Sequence, residues 1–103
     1  MQKVQSVEEF ENLLEQEGRF FFFKHSLTCP ISGNAYNQYQ TFTSGIDEPS
    51  YYLAVQEARA LSNYIAERFG IRHESPQAFL FEKGEPIWNA SHNRITKEAL
   101  MKL

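Results

Sequence analysis

Four phenylalanines in succession, Phe20 to Phe23, constrain this chain more than any other feature of its sequence. Successive side chains of a strand point to opposite faces, so a strand built from this run puts apolar rings on both and needs both covered. The run is too short for an ordinary helix and lies between Gly18 and the polar Lys24-His25-Ser26, as a buried strand would. It predicts a central strand in a sheet with helices on either side. With 103 residues the chain has room for one such core, so residues 1–103 are expected to form a single domain. A domain of this size buries roughly two-thirds of the surface its unfolded form exposes, enough to fold without metal or disulfide. Charged residues at 22% against 42% apolar argue against disorder.

The remaining periodicities supply the layers. Ser6-Val7-Glu8-Glu9 has capping-box spacing, and Val7, Phe10, Leu13 and Leu14 then recur at helical intervals until Gly18. Pro30 suits the first position of a second helix, in which Ile31, Ala35, Tyr39 and Phe42 are expected on one face despite Gly33. Tyr51 to Val55 predicts a strand, and Ala58, Leu61, Ile65 and Phe69 predict a helix closed by Gly70. Ala78–Phe81 and Ile87–Ala90 flank Glu82-Lys83-Gly84-Glu85, a connection of hairpin length. A last helix near Thr96 is expected to carry Ala99, Leu100 and Leu103. The order is αβαβαββα: an α/β domain whose four-stranded mixed sheet is sandwiched between helices. Tyr36, Tyr39, Phe42, Tyr51, Tyr52 and Trp88 read as core or near-core packing.

Composition also excludes partners. Ten basic and thirteen acidic residues give a net charge of -3, which repels phosphate backbones and anionic lipid, so neither nucleic acid nor a membrane surface is an expected partner. No apolar run approaches membrane-spanning length, and the N-terminus lacks the basic-then-apolar order of a signal peptide. The single cysteine, Cys29, cannot form an internal disulfide, whereas small secreted chains more often carry an even set; a cytoplasmic location is expected.

That cysteine stands where the buried strand has ended and Pro30 opens a helix. The free N–H groups and dipole of a helix start favour an anion, and thiolate rather than thiol is the nucleophile. Lys24 and His25, at the strand end, are candidate thiolate stabilisers. Ser32 occupies the place where a dithiol motif holds its second cysteine, so a resolving thiol must come from another molecule. Ser75-Pro76-Gln77 precedes the third long strand, where a cis proline would leave backbone groups free to pair with an incoming chain. His25, His73 and His92 match no compact zinc spacing, and no metal site is expected.

Thr28-Cys29-Pro30-Ile31-Ser32, with Ser75-Pro76 and Leu80-Phe81-Glu82-Lys83-Gly84-Glu85, resembles the thioredoxin-like superfamily. Lys24-His25-Ser26 leading into that motif resembles, more narrowly, the monothiol bacilliredoxins, the bacillithiol-dependent counterparts of glutaredoxins in low-GC Gram-positive bacteria. The chain departs from thioredoxins in lacking the second cysteine and the tryptophan beside the first. The resemblance implies that Cys29 attacks the mixed disulfide of an S-bacillithiolated client protein and takes the bacillithiol onto its own sulfur. It implies a cis Pro76 that orients the disulfide, with Thr28, Pro30, Ile31, Ser32, Ser75 and Gln77 shaping the site. Bacillithiol is then a co-substrate and no bound cofactor is expected. Two other readings compete: a glutaredoxin-like iron–sulfur cluster carrier, which Pro30 and the lone cysteine disfavour, and a redox-silent binding module with the same fold.

Overall fold

The phenylalanine run forms the middle of β2 (Arg19–His25), the central strand of the sheet in a computed structural model describing residues 1–103. Around it lie β1 (Gln2–Lys3), α1 (Val7–Gln16), α2 (Pro30–Thr43), β3 (Ser50–Ala54), α3 (Arg59–Phe69), β4 (Gln77–Glu82), β5 (Glu85–Ser91) and α4 (Lys97–Met101). A single 3-10 turn, His92–Arg94, joins the last two. The strand order is β1-β3-β2-β4-β5, with β1 and β2 parallel to β3, and β4 antiparallel to both β2 and β5. This is the expected α/β sandwich with one more strand than expected. The extra β1 has two exposed residues and no apolar pattern to announce it; it is fixed by pairing with Tyr51 and Tyr52 and by the buried Val4 that follows.

Both faces of β2 are covered, as its sequence requires. Phe20 and Phe22 meet α1 and α3, where Phe10 sets its ring edge-on to Phe22 at 5.2 Å and to Phe81 at 5.5 Å. Phe21 and Phe23 meet α2 and α4, and Phe23 stacks on Tyr39 at 4.9 Å. Each such pair adds about 0.5–1.5 kcal/mol beyond the area it buries. Tyr39 keeps its hydroxyl satisfied by donating to the Tyr51 carbonyl at 2.9 Å. The N-cap half of the capping box forms, Ser6 Oγ accepting the Glu9 N–H at 3.1 Å, while the Glu9 carboxylate accepts from the Ser6 hydroxyl rather than its backbone N–H, also at 3.1 Å.

Three expectations are corrected. Ile31 is 47% exposed, and Ser32, 0% exposed, takes the inward place with Ala35, Tyr39 and Phe42. The face centred on Ala35, Tyr39 and Phe42 passes between Ile31 and Ser32 at the first turn, and Ser32 is the one covered, held there by its bonds to His25 and Ser26. Leu103 lies beyond α4 and is 42% exposed; only Leu100 of that segment is buried. The hairpin strands extend further than their apolar residues, leaving a two-residue turn in which Lys83 (φ 53) and Gly84 (φ 80) both take positive φ, the primed-turn geometry that matches strand twist. No helix of the chain is long and apolar enough to cross a membrane.

Candidate active site

β2 ends at His25, the chain turns through Ser26, Leu27 and Thr28, and Cys29 becomes the N-cap of α2 with extended backbone (φ -101, ψ 121). Pro30 fills N1, where a missing N–H costs nothing. The caps of α1 and α4, Ser6 and Thr96, each accept an N–H three residues on, but the Cys29 side chain accepts none. Cys29 is half-buried, and its sulfur makes no hydrogen bond. The first turn of α2 has no acidic residue, so no carboxylate competes with an anion at this helix start. Leu27, 52% exposed, and Ile31 make an apolar rim on either side of Cys29 in the sequence.

Ser32 is locked in place. Its buried Oγ accepts the Ser26 N–H at 2.8 Å and lies 2.8 Å from His25 Nδ1. His25 stacks against Tyr36, with ring centroids 4.6 Å apart, and burial holds its imidazole below the ordinary 6.5, so it is neutral at pH 7. It therefore supplies no standing positive charge. Lys24 is further from its expected role: it is 0% exposed and points to the α1–α3 face, opposite the face that carries α2. There its Nζ donates to the Ser62 carbonyl at 3.0 Å and lies 3.3 Å from His73 Nδ1. Lys24 faces away from α2 and His25 rests neutral, so neither places a standing cation beside Cys29; strand alternation sends them to opposite sides of the sheet.

The Ser75–Pro76 peptide is cis. Because Lys24 pairs with Gln77, Pro76 arrives at the end of the sheet from which the Ser26–Cys29 turn departs. Pro76 is buried, and its carbonyl accepts the His92 N–H at 3.0 Å. Gln77 turns away to hold its own loop, donating to the Arg72 carbonyl at 3.1 Å. Ser75 Oγ is buried without a partner. Two shallow depressions, about 320 and 240 Å³, lie along β1, β3 and α2 and do not include Cys29. Thiol–disulfide exchange needs an accessible sulfur more than a cavity, so their position does not count against the site.

Sequence reading missed Gln56, in the turn between β3 and α3. Its Oε1 accepts the Leu27 N–H at 3.1 Å, and its Nε2 donates to Ser26 Oγ at 3.1 Å and Thr28 Oγ1 at 3.4 Å. One side chain thus clamps all three residues of the turn that presents Cys29. An exposed glutamine far away in sequence carries no pattern that would reveal this.

A family model described as "Monothiol bacilliredoxin BrxC" matches residues 2–100. The chain belongs to the monothiol bacilliredoxin family. A solved structure described as a candidate oxidoreductase with a thioredoxin fold is 46% identical; the match covers 97% of this chain and 89% of that one, with a TM-score of 0.93. Reduced thioredoxin pre-protein from Schistosoma mansoni matches at 16% identity over 97% of this chain and 92% of its own, TM-score 0.75. Thioredoxin from Fasciola hepatica matches at 13% identity over 99% and 94%, TM-score 0.79. The last two show the fold alone: this bacilliredoxin has the thioredoxin fold. Membership places it among thiol redox proteins.

In this bacilliredoxin, Gln56→Ala is expected to slow modification of Cys29 about threefold to tenfold by loosening the turn. The exposed position should leave stability within about 0.5 kcal/mol of wild type. Stopped-flow alkylation beside a denaturation curve checks both.

Proposed function

We propose that this protein removes bacillithiol from S-bacillithiolated client proteins by taking the adduct onto Cys29. The observation that carries this is the pairing of an unbonded sulfur, on a half-buried cysteine at a helix N-cap, with a hydroxyl at Ser32 where a dithiol protein would hold a second thiol. The Cys29 thiolate attacks the bacillithiol sulfur of the client disulfide; the S–S bond breaks, and the client leaves as a thiolate that takes a proton from water. Electrons balance, because one disulfide replaces another. Pro76, Thr28, Pro30 and the Leu27–Ile31 rim receive the client disulfide, Ser75 and Gln77 support the proline loop, and free bacillithiol regenerates Cys29 in a second exchange.

The test is intact-mass analysis after mixing with a bacillithiolated client and, in parallel, a glutathionylated one. Uptake of one bacillithiol adduct by this chain, with none or far less from the glutathionylated client, is the expected result. Cys29→Ser, nearly isosteric, should take up nothing while melting as wild type does. Equal uptake of both thiols would remove bacillithiol from the proposal, and uptake by the serine variant would remove Cys29.

A further inference from the structure

The unused group nearest the thiol is the His25–Ser32 pair. Ser32 Oγ has one proton and two lone pairs, and the Ser26 N–H occupies one pair. In the neutral tautomer that carries its proton on Nε2, His25 Nδ1 accepts the Ser32 proton across 2.8 Å, which leaves the second lone pair of Oγ open. Cys29 and Ser32 stand at N-cap and N3 of α2, the same two positions that Ser6 and Glu9 hold in α1, where the side chains meet at 3.1 Å. Side chains three residues apart on a helix are neighbours, so a rotation of Cys29 about χ1 can turn its S–H toward Ser32 Oγ.

We infer that His25 is a positioning residue that accepts the Cys29 proton through Ser32. The thiol proton passes to Ser32 Oγ as the Ser32 proton passes to His25 Nδ1. One proton leaves sulfur, one arrives on imidazole, and the total charge is unchanged. The imidazolium then donates from Nδ1 to Oγ, both lone pairs of Oγ are occupied, and the Ser32 O–H has only the new thiolate to donate to. The step reverses when the sulfur becomes part of a disulfide. Nothing else claims the proton: the groups facing His25 are Phe23 from β2 and Tyr36 from α2, with Tyr52 behind Tyr36, and no carboxylate, lysine or arginine is bonded to its ring. Burial keeps the ring unprotonated at pH 7 and Tyr36 neutral well above it; the same burial weakens the ring as a base, so the imidazolium forms only together with the thiolate whose charge offsets it.

The inference rests on Cys29 being the nucleophile, which alkylation by iodoacetamide reports without any bacillithiol. Three variants separate relay from packing. His25→Phe keeps the stack on Tyr36 and removes the acceptor; His25→Asn keeps a hydrogen-bond partner near Nδ1 that cannot take the proton; Ser32→Ala breaks the link. At pH 7 each should slow alkylation about tenfold, the size of one hydrogen bond to a charged group. Ser32→Ala combined with His25→Phe should lose no more than either alone, and at about pH 10, above the ordinary thiol range, all should converge on wild type. Wild-type rates in His25→Asn would reduce His25 to a hydrogen-bond partner and overturn the relay. Additive losses, or deficits that persist at high pH, would overturn it equally. If the relay fails while Cys29 still takes the client adduct, the proposed function stands without it; absence of adduct uptake at Cys29 would remove that function instead.

Discussion

Ser32→Cys is expected to convert a protein that holds its adduct into one that expels it. After a single exchange with a bacillithiolated client and no added thiol, wild type should remain mass-shifted, because it contains no second sulfur to attack the Cys29 adduct. A thiol introduced at N3 of α2 lies one turn from the N-cap, where side chains three residues apart are neighbours, so its thiolate can attack the Cys29 sulfur, close an internal disulfide with it and release bacillithiol thiolate. Converting an intermolecular step into an intramolecular one should raise the release rate about a hundredfold or more. Ser32 is buried, and a thiol in its place gives up the bonds to His25 and the Ser26 N–H, at about 1–2 kcal/mol. Domains of this kind have roughly 5–15 kcal/mol of stability, so the variant should fold. Intact mass at successive times separates the outcomes: a persistent adduct in the variant would mean that position 32 does not face the sulfur, and adduct loss from wild type at the same rate would end the single-thiol mechanism.

How much of this was legible in the sequence depends on how local the cause is. Four adjacent phenylalanines cannot be accommodated without two covering layers, so β2 and the sandwich followed from one segment. Cys29 at a helix start was equally legible, because Pro30 sits where only the first turn of a helix tolerates it well. The first turn was not: Ile31 and Ser32 flank the buried face about equally, and Ser32 turns inward because His25 and the Ser26 N–H bond it there, which is a tertiary matter. β1 has too few residues to show a period. Lys24 and His25 are neighbours in sequence and so looked like one pair of cations, yet alternation along β2 gives one to α3 and the other to α2. Gln56 acts on a turn 28–30 residues away, through hydrogen bonds that no spacing encodes.

The opposite fates of those neighbours lead to the other large expected effect. Lys24→Met should stabilise the fold at pH 7 by about 2–3 kcal/mol, which for a domain this small raises the melting temperature by roughly 10 °C or more. Lys24 is 0% exposed, no carboxylate faces it, and burial pushes its ammonium down to about 8 from the ordinary 10.5. Between those values the unfolded chain binds the proton that the folded chain has released, so stability rises with pH across that window; below about 8 the cost is present in full. A drop of this size corresponds to about 3 kcal/mol. Methionine keeps an unbranched stem and removes the charged Nζ, which lies 5.7 Å from the centre of the Phe79 ring. The Ser62 carbonyl loses its Nζ donor, but Ser62 Oγ retains its 3.0 Å contact with His73 Nδ1, which limits the offset. His73 is itself held below 6.5, first by burial and then by the Lys24 charge, so its contribution lies in a lower pH range. Urea denaturation at pH 7 and at about pH 9.5 checks the argument: wild type should gain stability between the two, and the gain should be absent in the variant. A variant less stable than wild type at both pH values would show that the buried ammonium, held by Ser62 and His73, is a net support of the fold.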